Sequence, residues 1–145
     1  MPVSIQNCQG ISVRPLRLRR LAQRALRALK VRGELSLALV DDAQMRALNR
    51  QYRRHDRTTD VLAFPQGECG LIGDVVLSVE TIARRNHATA GVVRRVERDL
   101  DRCVLHGILH LMGWDHHTAV TRRAMRRRER ALWEETWGSE VSGTA

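Results

Sequence analysis

Apolar residues recur along this chain with two different periods, and each change of period marks an element. Val3 to Gln6 reads as a short first strand. From Pro15 onward, Leu18, Leu21, Ala22, Ala25, Leu26 and Leu29 fall at helical spacing and make one stripe, with proline at the start and Gly33 as the stop. Leu35, Leu37 and Leu39 then alternate, as a half-buried strand requires. Asp41 or Asp42 can cap a short helix that runs through Tyr52. Asp60 to Phe64 reads as a further strand ended by Pro65, and the Gly67 to Gly70 region turns the chain into Leu71 to Ser78, apolar enough for a central strand. Helices are expected over about Glu80 to Ala90, Val92 to Met112 and Thr121 to Trp137. With no repeat, linker or low-complexity tract, the alternation predicts one α+β domain over residues 1–145, a mixed sheet of about four strands packed with about five helices.

The helix from Val92 carries the chemistry. Val93, Val96, Leu100, Val104, Gly107 and Leu111 form its buried stripe, and His106 and His110 project from the flank four residues apart, on one side of the helix. A small residue at position 107, inside the stripe, suits the close approach of another element. Gly113 can turn the chain with positive φ at the helix C-terminus and bring His116 back towards the pair. Three imidazoles with a fourth position left for water describe a catalytic zinc site better than a structural one, with one zinc ion per chain. His55, His87 and His117 have no such spacing and read as solvated residues, although His117 could compete with His116 for the metal.

The three intervals are also those of the metzincin proteases, HExxHxxGxxH, except that Gly107 stands where the glutamate belongs. That glutamate takes a proton from water during peptide attack, and the amine leaving group needs a proton delivered to it. A phosphodiester makes a different demand, positive charge around a pentacoordinate phosphate, which zinc and an arginine can meet.

Composition narrows the setting. The chain has 145 residues, 43% of them hydrophobic, enough for one domain with a core and too few for two. No apolar run approaches the length of a membrane span, and Met1 to Gly10 lacks the basic and apolar regions of a signal peptide, so a cytoplasmic protein with no membrane partner is expected. Cys8, Cys69 and Cys103 are odd in number and have no CxxC spacing, which predicts reduced thiols, with Cys103 packing its helix. A formal net charge of +9 points to an acidic partner, RNA above all. Lys30 is the only lysine, so nearly all of that charge is on arginine, whose planar fork suits phosphate oxygens. The run Arg122, Arg123, Arg126, Arg127, Arg128 and Arg130 can serve as a wet helix face or as a nucleic-acid clamp.

Four segments together resemble the YbeY endoribonucleases, bacterial zinc proteins of ribosomal RNA maturation. His106 to His116 resembles their HGxLHLxGxDH signature, with Trp114 where Tyr is commoner; Asn49 to Pro65 is similar to NxxYRxxDxxTDVLSFP; Gly73 to Ser78 is similar to the GDIxIS strand; and Met125 with Glu129 matches the C-terminal helix. The resemblance spans Asn49 to about Gly138. It implies a zinc-dependent, single-strand-specific endoribonuclease acting on a ribosomal RNA precursor, at the 3′ end of the small-subunit RNA and in ribosome quality control, with the ribosome or small-subunit assembly proteins as partners. His106, His110 and His116 would bind the metal, and His110 and Arg53 would carry catalysis, Arg53 by neutralising the phosphate. The attacking oxygen would come from water or from the ribose 2′-hydroxyl.

Other residues have two readings each. Asp115 could accept the proton on the far nitrogen of a ligand histidine or cap the turn. Glu129 shares a helix face with Met125, Leu132 and Trp133, which suits a buried carboxylate behind the metal, against an exposed pair with Arg126. Thr59 and Asp60 could shape the cleft or only start a strand. A metallopeptidase and a non-catalytic RNA-binding assembly factor are the alternative functions.

Overall fold

A computed structural model describes residues 3–68, 70–85 and 92–138, with side chains from residue 96 onward in the last segment. Four strands form one mixed sheet: β1 (Val3–Asn7), β2 (Glu34–Val40), β3 (Val61–Pro65) and β4 (Leu71–Ser78). They lie in the order β1-β2-β4-β3, with β1, β2 and β4 parallel and β3 antiparallel to β4 at the edge. Five α-helices surround the sheet: α1 (Pro15–Ala28), α2 (Asp42–Arg53), α3 (Val79–Arg85), α4 (Val92–Leu111) and α5 (Ala119–Trp133), the last continued by a π-helical turn over Glu134–Gly138. The α+β architecture is therefore the expected one.

The two sheet faces follow from the alternation along each strand. Leu35, Leu37, Leu39, Val75 and Leu77 point to one side and join Leu18, Leu21, Leu26, Leu100, Leu105, Ile108 and Leu109 in the main core with α1 and α4. Ala38, Val40, Leu62 and Val76 point to the other side and meet Met45 and Leu48 of α2 in a smaller cluster. Two covered faces explain why β4 reads as an apolar run, and it does occupy a central position.

Several boundaries differ from the expectation. Gly33 does not stop α1; the helix ends at Ala28, and Lys30 takes the left-handed turn with φ 57°. Asp41, not Asp42, caps α2, through a reciprocal box with Gln44, and α2 runs to Arg53. Thr118 caps α5, so that helix starts two residues earlier than the apolar pattern suggested, and its last turn widens into the π form. The buried surface of α4 is also broader than the stripe, because Asp101, Leu105, Ile108 and Leu109 are buried as well. A stripe is too narrow for a helix packed on a sheet and between other helices. The end of the expected helix Glu80 to Ala90, His87, Cys69 and the Val93 side chain lie outside the described residues. Among the described residues no helix is long and apolar enough to cross a membrane.

Candidate metal centre

Gly107 sets the distance between α4 and the sheet. A Cβ there would stand 2.6 Å from Val75 Cγ1 on β4, so a side chain would force either Val75 or the helix to shift. Four neighbours on the same helix, Leu100, Leu105, Ile108 and Leu109, are almost wholly buried, each contributing about 1.5–3 kcal/mol. That packing fixes the rotation of α4 and with it the direction of His106 and His110, which leave the helix at the rim of a cleft. Thr59, Asp60, Val61 and Ala63, from β3 and the approach to it, form the opposite wall.

Gly113, two residues past the end of α4, adopts φ 93°, and the turn returns His116 to the cleft. The ring centroid of His116 lies 5.9 Å from that of His106 and 5.1 Å from that of His110. One nitrogen from each of the three rings falls within 4.8 Å of the others. His106 Nε2 and His110 Nε2 are 3.0 Å apart. An ion about 2.1 Å from two nitrogens at the tetrahedral angle would hold them about 3.4 Å apart, so the His106–His110 spacing is close to what one small ion requires. Burial, reinforced by the neighbouring His106 and His116, holds His110 below the usual imidazole range, against smaller opposing effects of Glu129 and a hydrogen bond with the Trp114 backbone. The neutral ring is the form that ligates a metal. His117 stacks on His116 with centroids 6.0 Å apart and stands outside the three-nitrogen group.

The residues behind the three histidines sort out the double readings. Glu129, from α5, contacts His106 Nδ1 through Oε1 and forms no pair with Arg126 among the described residues. A carboxylate on the far nitrogen fixes the tautomer that presents Nε2 to the cleft. Asp115 does not do this. Its carboxylate accepts the His117 backbone N–H at 3.1 Å, and that bond, with one from Thr121, holds the carboxyl below its ordinary range. Asp60 both starts β3, by accepting the Val61 N–H at 2.8 Å, and lines the cleft. Its other oxygen takes Arg85 at 2.6 Å and faces Cys103 Sγ at 3.8 Å. Burial, with Asp60 and Asp99 nearby, pushes the Cys103 thiol far up, so it is an inert packing residue.

Arg53 ends α2. Its guanidinium donates to the Ala63 carbonyl at 2.8 Å and lies 5.5 Å from the centroid of Phe64. Ala63 belongs to the cleft wall, so Arg53 is tied to the strand facing the histidines. The structure thus gathers His106, His110 and His116 in one cleft, with Arg53 attached to its wall from outside. Two features had weak sequence signals. Only the apolar face around Glu129 pointed to its contact with His106, and nothing local announced the Asp60–Arg85 pair across 25 residues.

Comparison with known proteins agrees with this arrangement. A family model described as Endoribonuclease YbeY matches residues 4–136. Relatives called Endoribonuclease YbeY include one from Anaeromyxobacter dehalogenans, 46% identical over 79% of this chain and 62% of its own length. Another from Pelotomaculum thermopropionicum is 40% identical over 89% of this chain and 93% of its own. This chain spans just over three fifths of the length of the Anaeromyxobacter relatives it matches. The solution structure of a Thermotoga maritima protein superposes with a TM-score of 0.63 and 29% identity, covering 97% of this chain and 93% of that one. Because the family model takes in the sheet, the His106–His116 turn and Glu129 on α5 together, this chain belongs to the Endoribonuclease YbeY family.

Proposed function

We propose that this protein is a zinc-dependent endoribonuclease that cuts single-stranded RNA, with a small-subunit ribosomal RNA precursor as substrate, in the cytoplasm and together with ribosome assembly proteins. The observation that carries this reading is the convergence of three imidazole nitrogens within 4.8 Å in a cleft whose facing strand anchors Arg53. Zinc, when bound, supplies a Lewis acid that polarises a phosphoryl oxygen and makes water acidic enough to react near neutral pH. The chain supplies the rest. Glu129 orients His106, packing of α4 orients His110, and Arg53, held on the strand that walls the cleft, supplies a permanent positive charge for a phosphate that approaches along that strand. A single strand suits the cleft because its sugar–phosphate backbone can bend to present one phosphate to a recessed site.

The peptidase alternative is weaker for a steric reason. A general base at position 107 would need a side chain where even a Cβ meets Val75 at 2.6 Å. The test is cleavage of a labelled precursor of the small-subunit RNA 3′ end by the wild type and by His110→Ala, each with zinc and with a chelator. Cutting by the wild type with zinc alone, lost in the variant, is the expected result. Equal cutting by both proteins, or by neither, would leave a metal-stabilised RNA-binding assembly factor as the better reading.

A further inference from the structure

Beside the metal centre, α4 and α5 carry a set of arginines and tryptophans that the three-histidine cluster does not use. On α4, Arg98, Arg102 and Leu105 follow one another at helical spacing, and on α5 so do Arg126, Arg130 and Trp133. Between the helices lies a groove lined by Arg102, Leu105, Arg126, Glu129, Arg130 and Trp133. The π turn at the end of α5 stacks Trp137 on Trp133, with ring centroids 5.0 Å apart and planes 12° from parallel. Trp137 is held there by donating its indole N–H at 3.0 Å to Asp101, which is fully buried and paired with Arg17. Arg98 then lies over Trp137 at 5.4 Å and Arg102 over Trp133 at 5.1 Å.

The charge in this groove is unbalanced. Arg102, Arg126 and Arg130 are exposed, and none of them is in an ion pair among the described residues. Glu129, the carboxylate beside them, is engaged by His106. Planar cations set against a stacked indole pair suit a ligand that alternates anionic groups with flat aromatic ones. An acidic peptide has the charge without the flat groups, and a duplex hides its base faces. From Arg126 to Trp137 the track is about 16 Å long at helical rise. Glu129, which contacts His106, lines it part-way along.

We infer that this groove binds the single-stranded RNA flanking the bond to be cut, with phosphates on Arg102, Arg126 and Arg130 and a base stacked on the Trp133–Arg102 edge. The inference rests on the nuclease reading for its substrate, yet it is testable without catalysis. A labelled single-stranded RNA of twelve nucleotides is titrated by fluorescence anisotropy in the presence of a chelator, at several salt concentrations. The variant Arg102→Gln/Arg126→Gln/Arg130→Gln is expected to bind at least ~10-fold more weakly, with a salt-dependence slope shallower by about two, from about 0.7 per lost phosphate contact. Trp133→Leu is expected to weaken binding by ~10-fold with the slope unchanged, because stacking releases no counterions. Should the triple variant fold poorly, as judged by its thermal midpoint, Arg130→Gln alone still predicts a slope change of about 0.7.

Wild-type affinity and slope in folded variants would overturn the inference, as would displacement of the RNA by an equal charge of polyglutamate. The two readings fail separately. Lost RNA binding in the variants of a protein that cuts nothing sustains the groove and rejects the nuclease, whereas unchanged binding with intact cleavage rejects the groove alone.

Discussion

Two polar clusters flank this sheet, and they differ in whether their own groups complete them. At the C-terminal end of β4, the Asp42 carboxylate collects hydroxyls from Ser78 at 2.7 Å, Thr81 at 2.6 Å and Thr58 at 3.2 Å, and pairs with Arg84. The donors are directed at the charge. Burial pushes the carboxyl up, but the hydrogen bonds from Arg84, Thr81 and Ser78 outweigh it and bring it down to about 2. At the metal centre the reverse holds. Two imidazole nitrogens face each other 3.0 Å apart, a third ring stands beside them, and the carboxylate of Glu129 sits on the outer nitrogen of His106. A cluster that satisfies itself ties α2, α3 and β4 together; one that gathers three imidazole nitrogens within 4.8 Å offers them to an ion.

Substitutions can test that contrast, beginning with the largest effect. His110→Ala removes a ligand and should lower zinc affinity by more than the ~10–100-fold that loss of an outer partner costs, measured by competition with a chromophoric chelator. Glu129→Gln keeps the shape but removes the charge behind His106, and should fall within that ~10–100-fold range, with the urea midpoint nearly unchanged. A Glu129→Gln protein that binds zinc as tightly as wild type would show that the contact orients nothing.

The Asp42 cluster should answer in stability and leave metal affinity alone. Asp42→Asn is expected to cost about 2 kcal/mol at pH 7 by urea unfolding, since a carboxyl lowered by nearly two pH units is stabilised by about 1.4 kcal/mol for each and is only partly buried. The pH dependence has a definite sign. A carboxylate lowered from 3.8 to about 2 stabilises the fold in full above about pH 4 and loses that contribution as pH falls towards 2. The stability difference between wild type and Asp42→Asn should therefore be flat from pH 7 to about pH 5 and close as pH falls below 4. A difference that stayed constant down to pH 2 would assign the effect to packing.

Much of both regions could be read locally. The strands alternate, the α1 stripe is regular, and the histidine spacing with Gly113 needs only one helix and one turn. What escaped reading were contacts between residues distant in sequence. Asp42 meets Ser78 and Thr81 across 36 and 39 residues, whereas Glu129, whose apolar helix face does suggest a place behind the metal, reaches His106 across 23. Lys30, rather than a glycine, takes the left-handed turn after α1, a choice that local propensity does not announce. The wider burial of α4 likewise depends on what packs around it.

The sequence by itself determined which segments are helices and strands and which histidines share one side of α4, because periodicity and i, i+4 spacing act within one element. Tertiary structure decided the rest. It placed β3 antiparallel at the sheet edge opposite α4, tied Arg53 to that strand, set Glu129 behind His106 and stacked Trp137 on Trp133 beside the arginines of the groove. Those are meetings between elements, fixed by how buried faces of the sheet and helices fit together, and no local pattern specifies them.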